Sequence, residues 1–170
     1  MEIKTIKVGY LQTNCYIIIN KNKAIIIDPG DEAELIKQNL KGLELQAILI
    51  THSHFDHIGA LKYFENTKIY DDKNLEEKEY ELIDLKFNVI KTKGHTNDSI
   101  SFYFKNQNIM FTGDFVFEGT VGRTDLETGN MEEMKKSIEK IKEYPLNTII
   151  YPGHGNKTVL EKELKTNPYF

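Results

Sequence analysis

The stretch Ile50–Ala60 reads ITHSHFDHIGA and sets His52, His54, Asp56 and His57 almost side by side. Immediately before it, QAILIT is a short β-branched and apolar run of the length of a buried strand. After it, Ile58, Leu61 and Phe64 recur at helical spacing in DHIGALKYFEN, with Asp56 near the start. A strand therefore runs straight into a loop of imidazoles and a carboxylate, which a core has little use for. Asp56 also has a plainer reading as a helix N-cap.

The remaining histidines repeat the pattern. The chain has five, His52, His54, His57, His95 and His154. Each follows a predicted strand, in ILITHSH, VIKTKGH and IIYPGH, and so does Asp114 in IMFTGD. A single histidine is ordinarily a surface group or a satisfied core residue. Five at strand ends, three of them in one loop, are not explained that way. Strand ends at one edge of a sheet converge, so side chains carried there face one another.

Imidazole and carboxylate together suit Zn²⁺, Fe or Mn²⁺. His52 and His54, two apart on an extended segment, point the same way. Asp56 and His57 diverge from them toward a second position. Three histidines on one side, and an aspartate with two histidines on the other, leave Asp114 to bridge. Two ions roughly 3.5–4 Å apart would hold a water between them and lower its pKa towards ~7.

The rest of the chain reads as alternating layers. EIKTIKV, CYIIIN and KAIIID are strands, with a hairpin between the last two, and Asp31 is placed to cap a helix over EAELIKQNLK. TKIY is a short strand, and DDKNLEEKEYE a charged, solvated segment. FNVIKT, SISFYF and NIMFTG follow as strands, then DFVFEGTVGRTDLETGN as a long glycine-bearing loop of the kind that serves a site. MEEMKKSIEKIKEY is an amphipathic helix ending before Pro145, NTIIY a strand, and VLEKELKT a last helix. Two sheets covered by helices would bury these runs in one domain spanning residues 1–170.

Composition narrows the class. The chain has 170 residues, 39% hydrophobic and 28% charged, with a formal net charge of -4. Mild acidity argues against a nucleic-acid partner. The longest apolar runs, YIII and AIII, are far too short to span a bilayer, and the N-terminus lacks the apolar core of a secretory signal. The lone cysteine, Cys15, sits in the apolar run NCYIII and reads as a buried small hydrophobe; one cysteine forms no intrachain disulfide, which suits a reducing compartment. The expectation is a soluble, cytoplasmic protein without a membrane partner.

THSHFDHIG resembles the His-x-His-x-Asp-His motif of the metallo-β-lactamase superfamily, and GHT, GD and PGHG match its later ligand positions in order. TNCYII and IIIDPG resemble its opening strands. The resemblance covers nearly the whole chain and implies an α/β fold, a four-layer αββα sandwich with metals at one edge. It implies His52, His54 and His95 on a first metal, Asp56, His57 and His154 on a second, and Asp114 bridging them. Asp56 and Asp114 would be the catalytic carboxylates, and Asp28, in IDPG, a residue behind the ligands or in a turn.

Within that superfamily GDFVFEGTVGRTDL and YPGHGNKT…NPYF look like the glyoxalase II branch, the hydroxyacylglutathione hydrolases. The closest likeness is to short bacterial forms without the C-terminal glutathione-binding domain. Full-length members place a Lys or Arg and then a Tyr after the bridging Asp, and another Tyr after the last His. Here those positions are Arg123, Asp125 and Asn156, and GHTNDS stands where GHTPGS is usual. Arg123, the only arginine, either clamps a substrate carboxylate or braces its loop against Asp125; bracing is favoured because GRTD recurs in relatives with different substrates.

The resemblance implies two divalent ions, zinc first with iron or manganese suited to the same donors, and a small-molecule thioester substrate attacked by a metal-bridging hydroxide. A thiolate, with a conjugate-acid pKa near ~8.5, departs without a strong general acid. An amide would need one, and no dedicated acid is evident. The alternatives are a persulfide dioxygenase using one iron, a lactonase, or a metal-binding interaction domain without turnover. The family's dioxygenases read more like Pro-Ala-His-Asp at the last motif than PGHG.

Overall fold

The computed structural model describes residues Met1–Phe170. Three isoleucine-rich segments form its first half. Strands β1 (Glu2–Val8), β2 (Thr13–Asn20) and β3 (Lys23–Ile27) pair antiparallel in turn. β-Branched side chains fit a pleated surface covered on both faces, and β2 is buried along nearly its whole length. Helix α1 (Ala33–Asn39) carries the chain back, so β4 (Glu44–Leu49) runs parallel to β3, and β5 (Lys68–Tyr70) parallel to β4. Between them lies the single-turn helix α2 (Phe55–Ile58).

The second sheet follows the same logic. Strands β6 (Glu79–Leu82), β7 (Leu85–Lys91), β8 (Ile100–Phe104) and β9 (Ile109–Gly113) form an antiparallel meander. A small hairpin, β10 (Val116–Phe117) with β11 (Thr120–Val121), precedes helix α3 (Met131–Ile141). The helix returns the chain to β12 (Ile149–Pro152), parallel to β9. Strand β13 (Thr158–Val159) and helix α4 (Leu160–Thr166) end the order.

The two sheets face each other across Ile18, Ile25, Ile27 and Leu49 on one side and Phe87, Phe102, Phe104 and Phe111 on the other. The outer face of the first sheet packs Ile17, Ile26 and Ile48 under Ile36 of α1. That of the second packs Ile90, Met110 and Ile150 under Met134, Ile138 and Ile141 of α3. The result is the expected αββα sandwich. Each fully buried Ile or Phe contributes about 1.5–3 kcal/mol relative to exposure. Cys15 is fully buried in the outer core, as expected of a small hydrophobe.

Four local expectations are corrected. Asp31 does not cap α1: Glu32 holds the N-cap position in a left-handed conformation, and Asp31 Oδ1 accepts from the Glu32 N–H instead. The helix expected over DHIGALKYFEN is only Phe55–Ile58 followed by a 3₁₀ turn at Leu61–Tyr63. There the Ala60 N–H turns away to Pro29 O at 3.0 Å, and Gly59 lies against the Gly30 carbonyl, where a Cβ would sit 2.4 Å from it. The charged segment 71–81 contains most of edge strand β6, whose Glu-Tyr-Glu-Leu alternation leaves only Tyr80 and Leu82 half-buried. Asp56 is not an N-cap; His54 holds that position, without a side-chain bond.

The two sheets are stitched together at one edge. The Ile100 N–H donates to Thr51 O at 2.8 Å, joining the first residue of β8 to the loop after β4 in the other sheet. Asn14 donates from its backbone to Gly153 O at 2.7 Å and from Nδ2 to Pro152 O and Gly155 O, and Tyr16 Oη donates to Pro152 O. Strands β3, β4, β7, β9 and β12 all end here.

Candidate metal centre

Five segments deliver the polar groups to that edge. Residues after β4 bring His52, His54, Asp56 and His57. The turns after β3, β7, β9 and β12 bring Asp28, His95, Asp114 and His154. Because β9 and β12 are parallel, Asp114 and His154 leave the sheet side by side, tied by the Gly153 N–H to Gly113 O at 2.8 Å. Close approach demands the glycines here. A Cβ on Gly153 would lie 2.2 Å from Asp114 Oδ1 and 2.7 Å from His57 Cε1. Gly113 has φ +52, and a Cβ there would meet Thr51 Oγ1 at 2.2 Å.

Two groups of donors face each other. His54 Nδ1 lies 3.1 Å from His52 Nε2 and 2.9 Å from His95 Nε2. Asp56 Oδ2 lies 3.2 Å from His154 Nε2 and 3.6 Å from His57 Nε2. Asp114 reaches both groups: Oδ1 is 3.3 Å from His57 Nε2, and Oδ2 is 3.5 Å from His154 Nε2 and 3.6 Å from His95 Nε2. Donors around a tetrahedral ion at about 2.0–2.1 Å stand ~3.3 Å apart, so both spacings suit a divalent cation. His52, His57 and Asp114 also form a compact group, which places Asp114 between the two triads rather than in one.

The outer hydrogen bonds fix which nitrogen is free. Thr51 Oγ1 donates to Asp28 Oδ2 at 2.6 Å, so it accepts from His52 Nδ1 at 3.1 Å and leaves the His52 Nε2 lone pair facing inward. His95 Nδ1 donates to Arg123 O at 2.7 Å, and His154 Nδ1 to Leu11 O at 3.1 Å. His57 Nδ1 donates to Asp28 Oδ2 at 2.9 Å. Thr13 Oγ1 donates to Asp56 Oδ2 at 2.8 Å. His57 Nε2 and Asp114 Oδ1 are buried without a hydrogen-bond partner. Buried lone pairs aimed at one another are costly unless a cation or proton lies between them. The donor set therefore fits bound metal.

Charge divides the two triads. Burial lowers the basicity of His52 far below the usual imidazole value, and burial together with neighbouring His95 lowers that of His54. Burial also acts to lower His57, but Asp28 and Asp114 outweigh it and raise its pKa to about 10. His154 rises to about 9 against its own burial, through Asp114 and Asp56. Burial opposes ionisation of Asp114 and Asp56, yet His154 and His57 hold both carboxyls well below the usual range.

Asp28 takes its place behind His57, with Thr51 N–H on its other oxygen at 2.8 Å and a backbone φ of 52. Arg123 grips Asp125 through two 2.8 Å bonds, both side chains mostly exposed, and its carbonyl rather than its guanidinium reaches the centre. Thr13, Asn14 and the Leu11 carbonyl were not singled out from sequence. Of the three, only Thr13 and Asn14 carried a signal, as polar residues opening an otherwise apolar strand.

Two cavities flank the centre. One of about 240 Å³, beside His52, is lined by Ile50, Ile58, Leu61 and Ile69 together with Asp71, Asp72, Lys73 and Asp98. One of about 380 Å³, beside Asp56, is lined by Val8, Tyr10, Leu11 and Phe55.

The metallo-beta-lactamase superfamily profile matches residues 8–86 and 68–154. The chain belongs to this superfamily and is an enzyme of the metallo-hydrolase type with a His/Asp metal-binding cluster. Among relatives, it is 35% identical to "Hydroxyacylglutathione hydrolase GloC" of Haemophilus influenzae, over 99% of this chain and 98% of that protein. It is 34% identical to "Probable metallo-hydrolase YqgX" of Bacillus subtilis, over 99% and 97%. Among solved structures it is similar to the BLEG-1 B3 metallo-beta-lactamase, with TM-score 0.92 and 32% identity over 99% of each chain. It is also similar to TTHA1623 in a di-iron-bound form, with TM-score 0.88 and 31% identity over 98% of this chain and 100% of that one. ETHE1 from Myxococcus xanthus gives TM-score 0.87 and 28% identity over 99% and 84%. No helix is long and apolar enough to cross a membrane.

Proposed function

We propose that this protein hydrolyses a small-molecule thioester at a two-metal centre. His52, His54 and His95 would hold one ion, Asp56, His57 and His154 the other, and Asp114 would touch both. The observation that carries the reading is the pair of complete triads with Asp114 within 3.6 Å of histidines in each. Divalent ions on these donors, zinc first with iron or manganese as alternatives on the same ligand types, would supply Lewis acidity and a nucleophile available near neutral pH.

The chain's own groups do the rest. Asp28, Thr51, Leu11 and Arg123 hold four imidazole rings in fixed tautomers through their off-centre nitrogens. Asp114 and Asp56 stay ionised and hold negative charge where cations bind. The histidines and carboxylates of the centre are all engaged as donors, leaving none to protonate a leaving group. A thioester suits such a site because its thiolate, with a conjugate-acid pKa near ~8.5, leaves unaided. The relative named hydroxyacylglutathione hydrolase supports the same bond class. Arg123 is committed to Asp125, which removes the one guanidinium available to grip a glutathione carboxylate.

Anaerobic assay with a thioester panel tests this. The expected result is thioester cleavage without oxygen, abolished by chelation and restored by Zn²⁺. Oxygen uptake with glutathione persulfide and no thioester cleavage would replace the hydrolase with the chemistry of a mononuclear iron dioxygenase.

A further inference from the structure

One buried carboxyl stands apart from the metal centre. Glu163, on α4, is fully buried. Three donors converge on it, none of them a cation. Oε2 accepts from the Gly119 N–H at 2.8 Å and from Asn167 Nδ2 at 2.9 Å, and Oε1 accepts from Thr158 Oγ1 at 2.5 Å. Burying a carboxyl is costly, and an apolar side chain would fasten a helix to the body at less cost.

What these bonds hold is the tip of hairpin β10–β11. Gly119 lies in its turn with φ +75. The buried Asn167 side chain gives Nδ2 to Thr120 O as well, at 3.0 Å. The hairpin has two residue pairs, Val116 with Val121 and Phe117 with Thr120. A two-stranded ribbon that short does not hold itself in water. Val116 and Val121 anchor its base in the core under α3, and Glu163 with Asn167 anchors its tip.

The base of the hairpin walls the metal centre. The Gly122 N–H donates to Phe115 O at 3.1 Å. A Cβ on Gly122 would lie 1.8 Å from Asp114 O and 3.1 Å from His95 Cγ. One residue on, Arg123 O accepts from His95 Nδ1 at 2.7 Å. From Gly119 to that carbonyl is four residue steps, at most about 13 Å of extended chain.

We propose that Glu163, together with Asn167, is a positioning residue of the metal centre. It fixes the hairpin so that the Arg123 carbonyl keeps the His95 proton on Nδ1 and leaves Nε2 for the ion. The service to the ion rests on the metal-centre reading; the hold on the ring does not.

Glu163→Met keeps the volume and removes all three bonds. Glu163→Gln keeps an oxygen for Gly119 and Asn167 and turns its amide to Thr158, whose hydroxyl can accept, so it should restore the clamp. Imidazole ¹⁵N NMR of zinc-free protein at pH 8 reads the tautomer. Expected is a His95 proton on Nδ1 in the unaltered protein and in Glu163→Gln, and a mixture of tautomers in Glu163→Met. Asn167→Ala, which also frees Thr120 O, should give the same mixture and stands in where Glu163→Met does not fold. Ile36→Ala, in the outer core of the other sheet, lowers stability without touching the hairpin and should leave the ring unchanged. Zinc titration in a His57→Ala background reads the first ion alone. Its affinity should fall tenfold or more with Glu163→Met and return with Glu163→Gln. A His95 signature unmoved in Glu163→Met or Asn167→Ala, or moved equally in Ile36→Ala, would overturn the clamp. Mixed tautomers with unchanged zinc affinity would overturn its service to the ion. Absence of zinc binding in the His57→Ala background would remove the metal reading, and the tautomers alone would then decide the clamp.

Discussion

The two metal triads are built from the same side chains yet differ in charge and in what lies behind them. His52, His54 and His95 are imidazoles without a carboxylate of their own; His52 and His95 pass their off-centre N–H to the neutral oxygens of Thr51 and Arg123. Asp56, His57 and His154 pair two imidazoles with carboxylates at every turn, Asp28 behind His57 and Asp114 and Asp56 before both. The first triad offers a cation three imidazoles, two of them made less basic by burial. In the second, neighbouring carboxylates raise the pKa of His57 and His154, so a cation there competes with protons. The same fold edge can therefore carry two sites of unequal affinity, with Asp114 as the part they share.

The largest effect follows from that shared carboxylate. Asp114→Ala leaves His57 Nε2 and His154 Nε2 facing Asp56 alone and takes an anion from the first triad as well. Both ions should bind more weakly, and kcat should fall by roughly a hundredfold or more, about 2.7 kcal/mol or more of barrier. Metal titration alongside steady-state kinetics measures both, and loss confined to one ion would show that Asp114 belongs to one triad only.

Asp28→Asn sharpens the contrast. It keeps the shape but removes the charge behind His57, so that the ring loses its anchoring acceptor. The affinity of the second ion should drop about 10- to 100-fold while the first changes little. Equal weakening of both would mean that Asp28 acts on the whole edge through Thr51, to which it is bonded by both oxygens.

A smaller and graded effect comes with pH. In metal-free protein His57 and His154 have pKa values raised from 6.5 to about 10 and about 9. Groups raised on folding contribute stability that is complete below pH ~6.5 and fades as pH climbs through their folded values. Chelated protein should lose Tm between about pH 6.5 and 10. Metal binding runs the other way: the second ion displaces up to two protons, so its affinity should fall by up to ~100-fold per pH unit lowered below 9. The first ion should respond far less, because burial already keeps His52 neutral. Zinc titrations at pH 6 and pH 8 in chelated protein check the difference, and identical pH slopes for both ions would erase the distinction between the triads.

Much of this was legible in the sequence. Runs such as Cys15–Ile19 and Ala24–Ile27 leave no polar face, which is what a strand buried on both sides requires, and they fixed the sandwich. The donors stood out because the chain's five histidines all follow strands. What was illegible depended on tertiary partners. The helix after His57 stops at Gly59, where the Ala60 N–H bonds Pro29 O across space, a partner the local pattern does not show. Strand β13 is a two-residue bridge to Ile149 and Ile150, too short for periodicity to mark. Thr13 and the Leu11 carbonyl reach the centre from a hairpin turn more than forty residues before Asp56 and far before His154 in the chain, with separations of 43 and 143 residues.

The central claim is that one edge of the sandwich holds two ions through unlike triads sharing Asp114. Elemental analysis of protein reconstituted with excess Zn²⁺ and freed of loose metal tests it most directly. The account predicts two ions per chain, falling to one in His57→Ala with the first retained. One ion per chain in the unaltered protein at saturation would contradict it.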